Sequence, residues 1–590
     1  MRKSIATVCL SGTLTEKLAA AARAGFDGVE IFENDLLASP LTPEEIAARA
    51  ADLGLTIDLY QPMRDIEAVP EDHFVRNLRR ARHKFDLMGR LGVDTVLVCS
   101  NVSALARDDD ALAAAHLSRL ADLAQESGIR VAYEALAWGR HVSTYDHAWR
   151  VVRTADHPAL GTCLDSFHIL SRTPDPKDLE GIADIPGEKI FFLQLADAPV
   201  LAMDVLQWSR HYRCFPGQGG LDVTGLLRRV LATGYPGPLS LEVFNDVFRQ
   251  ADAGRTALDG MRSLLALEES AGASRLPAPV VPTGVAFAEL ATSDPQPTED
   301  LLTAIGFTRT ARHHTKPVAL WERGEARVVL NTATRRTGTT LSALGLESAE
   351  PAASARRAEA LLAPTVPKHR AAQDVPLDSI TAPDGTEVLF CATRRTGLPS
   401  WTDDFTFTGA TPHPDGHLDH LALTQPWHHF DEAVLFHRAI LGLSPHDTVE
   451  LADPYGLFRS RALSASPTGP HLVLNLAPTP ETDDRARHIA VAVTDLVTTA
   501  RDLHTAGAPL LHVPGNYYDD LAARFDLPDA ELAAFRELGI LYDRDEQGGE
   551  FRHCYTRTVG QVFFEFVQRD GGYGGYGAAN APIRLAAQRR

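Results

Sequence analysis

Leu160 to His168 reads LGTCLDSFH. A short apolar run rises to Asp165, and His168 follows three residues on, where the loop after a strand belongs. Three other apolar runs also end on one oxygen-bearing side chain: RVAYE at Glu134, IFFLQ at Gln194 and LSLE at Glu242. Each reads as a strand of a buried parallel sheet. In a parallel barrel all strands point one way, so residues at their C-terminal ends converge on a single mouth. Four oxygen donors gathered there make a site for a hard cation.

Outward from this stretch, strand and helix alternate from Lys3 to about Glu269. The strands expected are Ser4 to Cys9, Gly28 to Phe32, Thr56 to Tyr60, Thr95 to Cys99, Arg130 to Glu134, Leu160 to Asp165, Lys189 to Gln194 and Leu239 to Val243. Between them lie stretches such as TEKLAAAARAG and TGLLRRVLATG, apolar at steps of three and four and stopped by glycine. Eight such units in about 260 residues are the count and size of a (β/α)8 barrel. An open doubly wound sheet is the alternative, but no G-x-G-x-x-G follows the first strand. Residues 1–269 are thus expected to form an α/β barrel domain. SAGASRLPAPVVP, with three prolines, reads as a linker over 270–283. Beyond it ARVVLNTA (Ala326 to Ala333) echoes PHLVLNLA (Pro470 to Ala477), each after an opening strand, VAFAELA or LDHLALT. Two α+β modules of βαβββ type, 284–400 and 414–590, are expected.

Bulk properties narrow the function. The 590 residues are too many for one core. A net charge of -20 repels phosphate backbones and anionic membrane faces, so neither nucleic acid nor a membrane is expected as a partner. No apolar run approaches the roughly 20 residues that span a bilayer. The N-terminus enters a strand with no signal-peptide pattern, and six scattered cysteines form no CxxC pair, as in a reduced cytoplasmic protein. A homo-oligomer is compatible with the sequence.

Glu134, Asp165, Gln194 and Glu242 offer carboxylate and amide oxygens without imidazole or thiolate, a set suited to Mg²⁺, Mn²⁺ or Co²⁺. CLDSFH, the Gln194 strand with its QLAD continuation, SRHYRCFPGQGGLD and LSLEVFND resemble the sugar-phosphate-isomerase-like barrel family. Within it they are most similar to bacterial 3-dehydroshikimate dehydratases fused to a dioxygenase-like half. The resemblance implies that the four oxygen residues bind a divalent cation and that His168 and Arg210 act on the substrate. It also implies dehydration of 3-dehydroshikimate, the small-molecule substrate, to the catechol acid protocatechuate. With an ordinary pKa of about 6.5, His168 suits a general base near neutral pH. Arg210 and, in YQPMRD, Arg64 suit the substrate carboxylate. FPGQGGLD reads first as loop closure. A ketose epimerase using the same cation is the rival reading; an endonuclease is disfavoured by the acidic charge.

In the C-terminal half GHLDHLAL carries His420, ARHIAVAV carries His488 and GQVFFEFVQRDGGYGGYG carries Glu565. Two imidazoles and one carboxylate form the facial triad of non-haem Fe²⁺ or another divalent cation. These stretches and GNYYDDL resemble 4-hydroxyphenylpyruvate dioxygenase and the vicinal-oxygen-chelate superfamily. Phe287 stands where the first module would place its equivalent of His420, so that module is expected to be metal-free. The tail keeps Asn580 but has Ala581 where the dioxygenase has a pocket-closing Phe. An iron-dependent oxygenase in this half remains an alternative, as does a structural domain.

Overall fold

A computed structural model of the chain describes residues 1–589 apart from 173–174, 337, 367–373, 394–396, 454–455, 467–468 and 478–485. The chain divides into two compact units, Met1–Leu276 and Pro277–Arg590.

In the first unit eight parallel strands close on themselves: β1 Lys3–Ala6, β2 Gly28–Phe32, β3 Thr56–Met63, β4 Thr95–Cys99, β5 Arg130–Glu134, β6 Leu160–Asp165, β7 Ile190–Leu195 and β8 Leu239–Leu241. Ser4 pairs with Gly28 on one side and Ser240 on the other, which shuts the barrel. Several ends differ from the expectation: β1 begins at Lys3, β3 runs on to Met63, β7 reaches Leu195, and three others shift as well. The first strand stops at Ala6 because Thr7–Cys9 turns into a 3-10 segment, where Thr7 Oγ1 accepts the Phe32 N–H at 3.0 Å. Gly187–Lys189 forms a similar turn before β7, and β8 ends one residue short of Glu242. The helices start as their sequences direct. Thr13 and Thr42 each cap a helix whose third residue, Glu16 or Glu45, reaches back to the cap nitrogen, satisfying two end donors at once. Leu59, Leu97, Cys99, Ala132, Cys163 and Phe192 form one buried cluster contributed by β3 to β7.

The register decides where the oxygen donors fall. Cys99 lies opposite Glu134, Asp165 opposite Gln194, and Gln194 opposite Ser240, so Glu134, Asp165 and Gln194 sit at the C-terminal ends of adjacent strands.

The second unit repeats more finely than the echo suggested. Val285–Ala291 pairs in parallel with Ala326–Asn331 and antiparallel with Thr340–Glu347; His417–Gln425 pairs in parallel with His471–Leu476 and antiparallel with Arg487–Ala492. Each echoed segment is therefore the last strand of a βαβββ unit, and Thr340 and Arg487 each begin another. The two expected modules are each a side-by-side pair sharing one sheet. The second member escaped notice because its strands carry no matching sequence. Phe287, at the position corresponding to His420, packs its ring 4.6 Å from Trp401 in an apolar cluster. Among the described residues no helix is long and apolar enough to cross a membrane.

Candidate active site and metal centres

At the C-terminal mouth of the barrel, donor atoms of Glu134, Asp165 and His168 lie within 4.8 Å of one another. Asp165 ends β6 and caps the helix Ser166–Leu170, its Oδ1 accepting the His168 backbone N–H at 2.8 Å; the cap thereby fixes where the histidine stands. Glu134 Oε2 accepts from Cys99 Sγ at 3.4 Å, while the buried Oε1 has no hydrogen-bond partner. Gln194 is fully buried, its amide nitrogen donating to Glu30 Oε2 at 2.6 Å. Glu30 Oε2 also accepts the Gln61 amide at 2.7 Å, and Glu30 Oε1 accepts the Ser240 hydroxyl. With its nitrogen so engaged, Gln194 has its oxygen on the other side, 3.4 Å from Cys163 Sγ.

Glu242 is joined to this group by a residue the sequence reading passed over, Arg213. One guanidinium nitrogen donates to Asp165 Oδ2 at 2.8 Å and to Glu242 Oε2 at 3.0 Å; another donates to Ser209 Oγ at 2.9 Å and lies 3.1 Å from His168 Nε2. Its side chain is 1% exposed. Arg210 instead lies on the short helix Val205–His211 and is exposed. Beyond that helix the chain is extended, Cys214 bridging to Asp197, so Arg213 points inward beside an exposed Tyr212. HYRC gives no hint of this, since its alternation would place the charged Arg213 outside and the apolar Tyr212 inside. Asp197 in turn accepts the N–H groups of Gly217, Gly219 and Leu221, and a Cβ at Gly219 would stand 2.3 Å from Asp197 Oδ1. The loop closes on that carboxylate.

Three carboxylates around one guanidinium leave uncompensated negative charge, and the titration follows. Burial, then the charges of Asp165 and Glu242, hold Glu134 well above the usual carboxyl range. Burial also pushes Glu242 up to about 7 against the pull of Arg213. At Asp165 burial is outweighed by Arg213 and His168, and the carboxyl stays below its ordinary value. His168 departs from the expectation of an ordinary imidazole: burial, helped by Arg213 and opposed by Asp165, lowers it to about 3. The ring is therefore neutral. Its Nδ1 accepts the Ala137 N–H at 3.1 Å, leaving Nε2 to face Arg213. An unpartnered buried carboxylate oxygen of Glu134, gathered with Asp165 and the His168 ring, fits a divalent cation.

A cleft opens over these groups, lined among others by Gln61, Arg64, Glu134, Trp138, His168, Arg210, Arg213 and Glu242. Among the described residues, neither Arg64 nor Arg210 pairs with a carboxylate, so both reach the cleft with their charge free.

The second constellation comes from adjacent strands. Ala490 lies opposite His420 on one side and opposite Glu565 on the other. His488, two residues before Ala490, shares its face of the sheet. The result is compact: His420 Nε2, His488 Nε2 and Glu565 Oε2 stand 3.1 Å from one another. Glu565 Oε2 is nonetheless not aligned to hydrogen-bond either ring. Ligands about 2.1 Å from an ion and at right angles stand about 3.0 Å apart, so this set fits one face of an octahedral ion. Outer partners hold it in place. Asp419 Oδ2 bonds His420 Nδ1 at 2.7 Å and is itself gripped by Arg569 at 2.8 and 2.9 Å. His553 Nδ1 lies 2.7 Å from Glu565 Oε1, and its Nε2 lies 3.0 Å from the Asn580 amide. Against burial, Glu565 and Asp419 push His420 up to about 9, and the His420 charge holds Glu565 well below the usual range. Burial lowers His488 to about 4.

A family model described as a xylose isomerase-like TIM barrel matches residues 18–267, and one for the N-terminal part of hydroxyphenylpyruvate dioxygenase matches 277–360. A 3-dehydroshikimate dehydratase of Pseudomonas putida is 44% identical over all of this chain and 98% of its own. The chain belongs to the 3-dehydroshikimate dehydratase family.

The family's fused architecture recurs in a solved structure titled a xylose isomerase-like TIM barrel/4-hydroxyphenylpyruvate dioxygenase fusion protein, 43% identical, with a TM-score of 0.91 over the whole of both chains. A 4-hydroxyphenylpyruvate dioxygenase of Pseudomonas aeruginosa is 25% identical over 51% of this chain and 92% of its own. The sequence reading of this dehydratase-family chain named both sets of candidate ligands but not Arg213, Glu30, Asp419, Arg569 or His553. Only Asp419, next to His420 in LDHL, gave a local signal. The others reach their partners across the fold.

Proposed function

We propose that the barrel dehydrates 3-dehydroshikimate to protocatechuate with a divalent cation held by Glu134, Asp165, Gln194 and Glu242. The observation that carries the site is Glu134 Oε1, a buried carboxylate oxygen without a partner, beside three further oxygen donors on neighbouring strand ends. The substrate is that of relatives matched over the full chain. The cation, when bound, supplies the positive charge that stabilises an enolate oxygen, an effect of several kcal/mol.

The chain's own groups do the rest. Arg64 and Arg210 face the cleft with unpaired charges suited to the substrate carboxylate. Arg213 keeps Asp165 and Glu242 from repelling each other. The substrate has a ketone and a hydroxyl two carbons away. Removing a proton from the carbon between them gives an enolate that expels hydroxide; protonation of the hydroxide completes the loss of water, and tautomerisation yields the aromatic ring. His168 lines the cleft and, kept neutral by burial, is the group that takes the proton from that carbon. Its neutrality suits that task. Trp138, 5.0 Å from His168, helps shield the ring from water.

We infer that His420, His488 and Glu565 hold a second divalent cation. The test of the main reading is incubation of chelator-treated protein with 3-dehydroshikimate, with and without Mg²⁺, Mn²⁺ or Co²⁺. The ultraviolet spectrum of a catechol acid should appear only when a cation is restored. Turnover unaffected by chelation would sink the metal assignment, and a product without the catechol spectrum would favour an epimerase.

A further inference from the structure

The helix Ala581–Gln588 brings Arg584 against the histidine–carboxylate centre. Its guanidinium carbon lies 5.4 Å from the centre of the Phe563 ring and 5.7 Å from that of Tyr555. Phe563 lies 5.0 Å from the His488 ring, and Tyr555 6.0 Å from it. The same two rings thus neighbour both the guanidinium and a member of the triad. Arg584 is 6% exposed, and among the described residues its one hydrogen-bond acceptor is Gln588 Oε1 at 2.9 Å. No carboxylate among them pairs with it. A buried guanidinium without a counter-charge is costly until an anion joins it. Arg569 near the same centre differs, because its charge is already engaged by Asp419.

The surroundings narrow the anion. Tyr555 and Phe563, at 62° to one another, offer two apolar ring faces, and Tyr576 adds a third ring 5.3 Å from His420. Three donors on one face of an octahedral ion leave the opposite positions for oxygens of a chelating ligand. An aliphatic diacid would leave the ring walls unused, and a neutral diol would leave Arg584 unpaired.

We propose that the C-terminal centre binds a planar aromatic carboxylate bearing two adjacent oxygens, with Arg584 gripping the carboxylate while the oxygens face His420, His488 and Glu565. Protocatechuate, the product assigned to the barrel, has this chemistry. The choice of ligand rests on that reading; the role of Arg584 does not.

Full-length protein is stripped with a chelator, reloaded with ferric ion and titrated separately with protocatechuate and with catechol. A ferric catecholate is coloured, so binding is read without turnover. Protocatechuate should bind more tightly than catechol. Arg584→Met should weaken protocatechuate about 10- to 100-fold, the worth of one charge-assisted pair, and leave catechol unchanged. Arg584→Lys, which keeps the charge, should restore part of the preference. The colour should vanish in His488→Ala. The proposal is overturned if Arg584→Met weakens both ligands equally or neither, or if the colour survives in His488→Ala. A protein that fails to dehydrate 3-dehydroshikimate yet shows this discrimination would sink the dehydratase reading and leave the Arg584 assignment standing.

Discussion

The two centres gather ligands in opposite ways. In the barrel each donor comes from its own strand end, and the carboxylates are kept together by a buried guanidinium and by protons on Glu134 and Glu242. In the second unit the donors stand on three adjacent strands, already spaced 3.1 Å apart, and an imidazolium faces an ionised Glu565. A carboxylate cage has to share protons until a cation arrives, whereas a mixed histidine–carboxylate set balances itself. Both must release protons to bind a metal. The barrel does so from Glu134, held well above the usual range, and from Glu242 at about 7, the triad from His420 at about 9.

The comparison breaks most sharply at the barrel ligands. Glu134→Ala or Glu242→Ala should cut cation-dependent dehydration by on the order of 10³ or more, since several kcal/mol of charge stabilisation depend on the ion. Metal analysis should show one ion lost and the triad's ion kept. Turnover and metal content both near wild type would reject the residue as a ligand. Next comes His168→Asn, expected to lower kcat by on the order of 10² to 10⁴ with metal content unchanged. A rate near wild type would remove His168 from the proton path.

How much of this was legible in the sequence follows from the same contrast. Donors at strand ends announce themselves because an apolar run that stops on Glu134, Asp165, Gln194 or Glu242 is a local pattern. The triad was legible through resemblance, since a lone His in a strand has no local meaning. What escaped were the groups that act across the fold. Glu30 stands 164 residues from Gln194 and Arg213 48 residues from Asp165, and no periodicity links such pairs. The neutral state of His168 was hidden for the same reason, because burial and the Arg213 charge exist only once the barrel has closed.

Glu30 sharpens the comparison further, because it does for the barrel what Asp419 and His553 do for the triad. By accepting the Gln194 amide hydrogen it turns the amide oxygen the other way, toward Cys163 Sγ, where a cation could reach it. Glu30→Leu should therefore weaken cation affinity about 10- to 100-fold, read by chelator competition. Glu30→Gln, which still offers an acceptor oxygen, should retain most of it. Equal losses in both variants would show that Gln194 does not depend on this contact.

A smaller effect separates the centres by pH. In metal-free protein Glu242 titrates at about 7 rather than the ordinary 4.5. A raised acid favours the folded state while protonated, so its contribution is whole below 4.5 and lost as the pH climbs through 7. His420, raised from 6.5 to about 9, loses its contribution between those values. The neutral His168 acts with the opposite sign over the same range, so the Glu242 part is read as a difference: relative to Glu242→Gln, chelator-treated protein should lose thermal stability between pH 5 and 7. A difference in melting midpoint between the two proteins that does not change over this range would contradict the burial of a protonated Glu242.

The smallest change expected is the most direct test of independence. Of the triad, His488 is the residue whose removal disturbs charge least: burial keeps it neutral, whereas His420 is an imidazolium between Asp419 and Glu565. His488→Ala therefore deletes one of three donors without exposing an unpaired carboxylate, and the C-terminal ion should be lost. All four barrel donors lie in the other compact unit and share no ligand with it. The dehydration rate should then stay at the wild-type value while metal content falls by one ion. If the rate falls in a variant whose thermal unfolding is unchanged, the centres are coupled, and the second does more for the first than occupy the same chain.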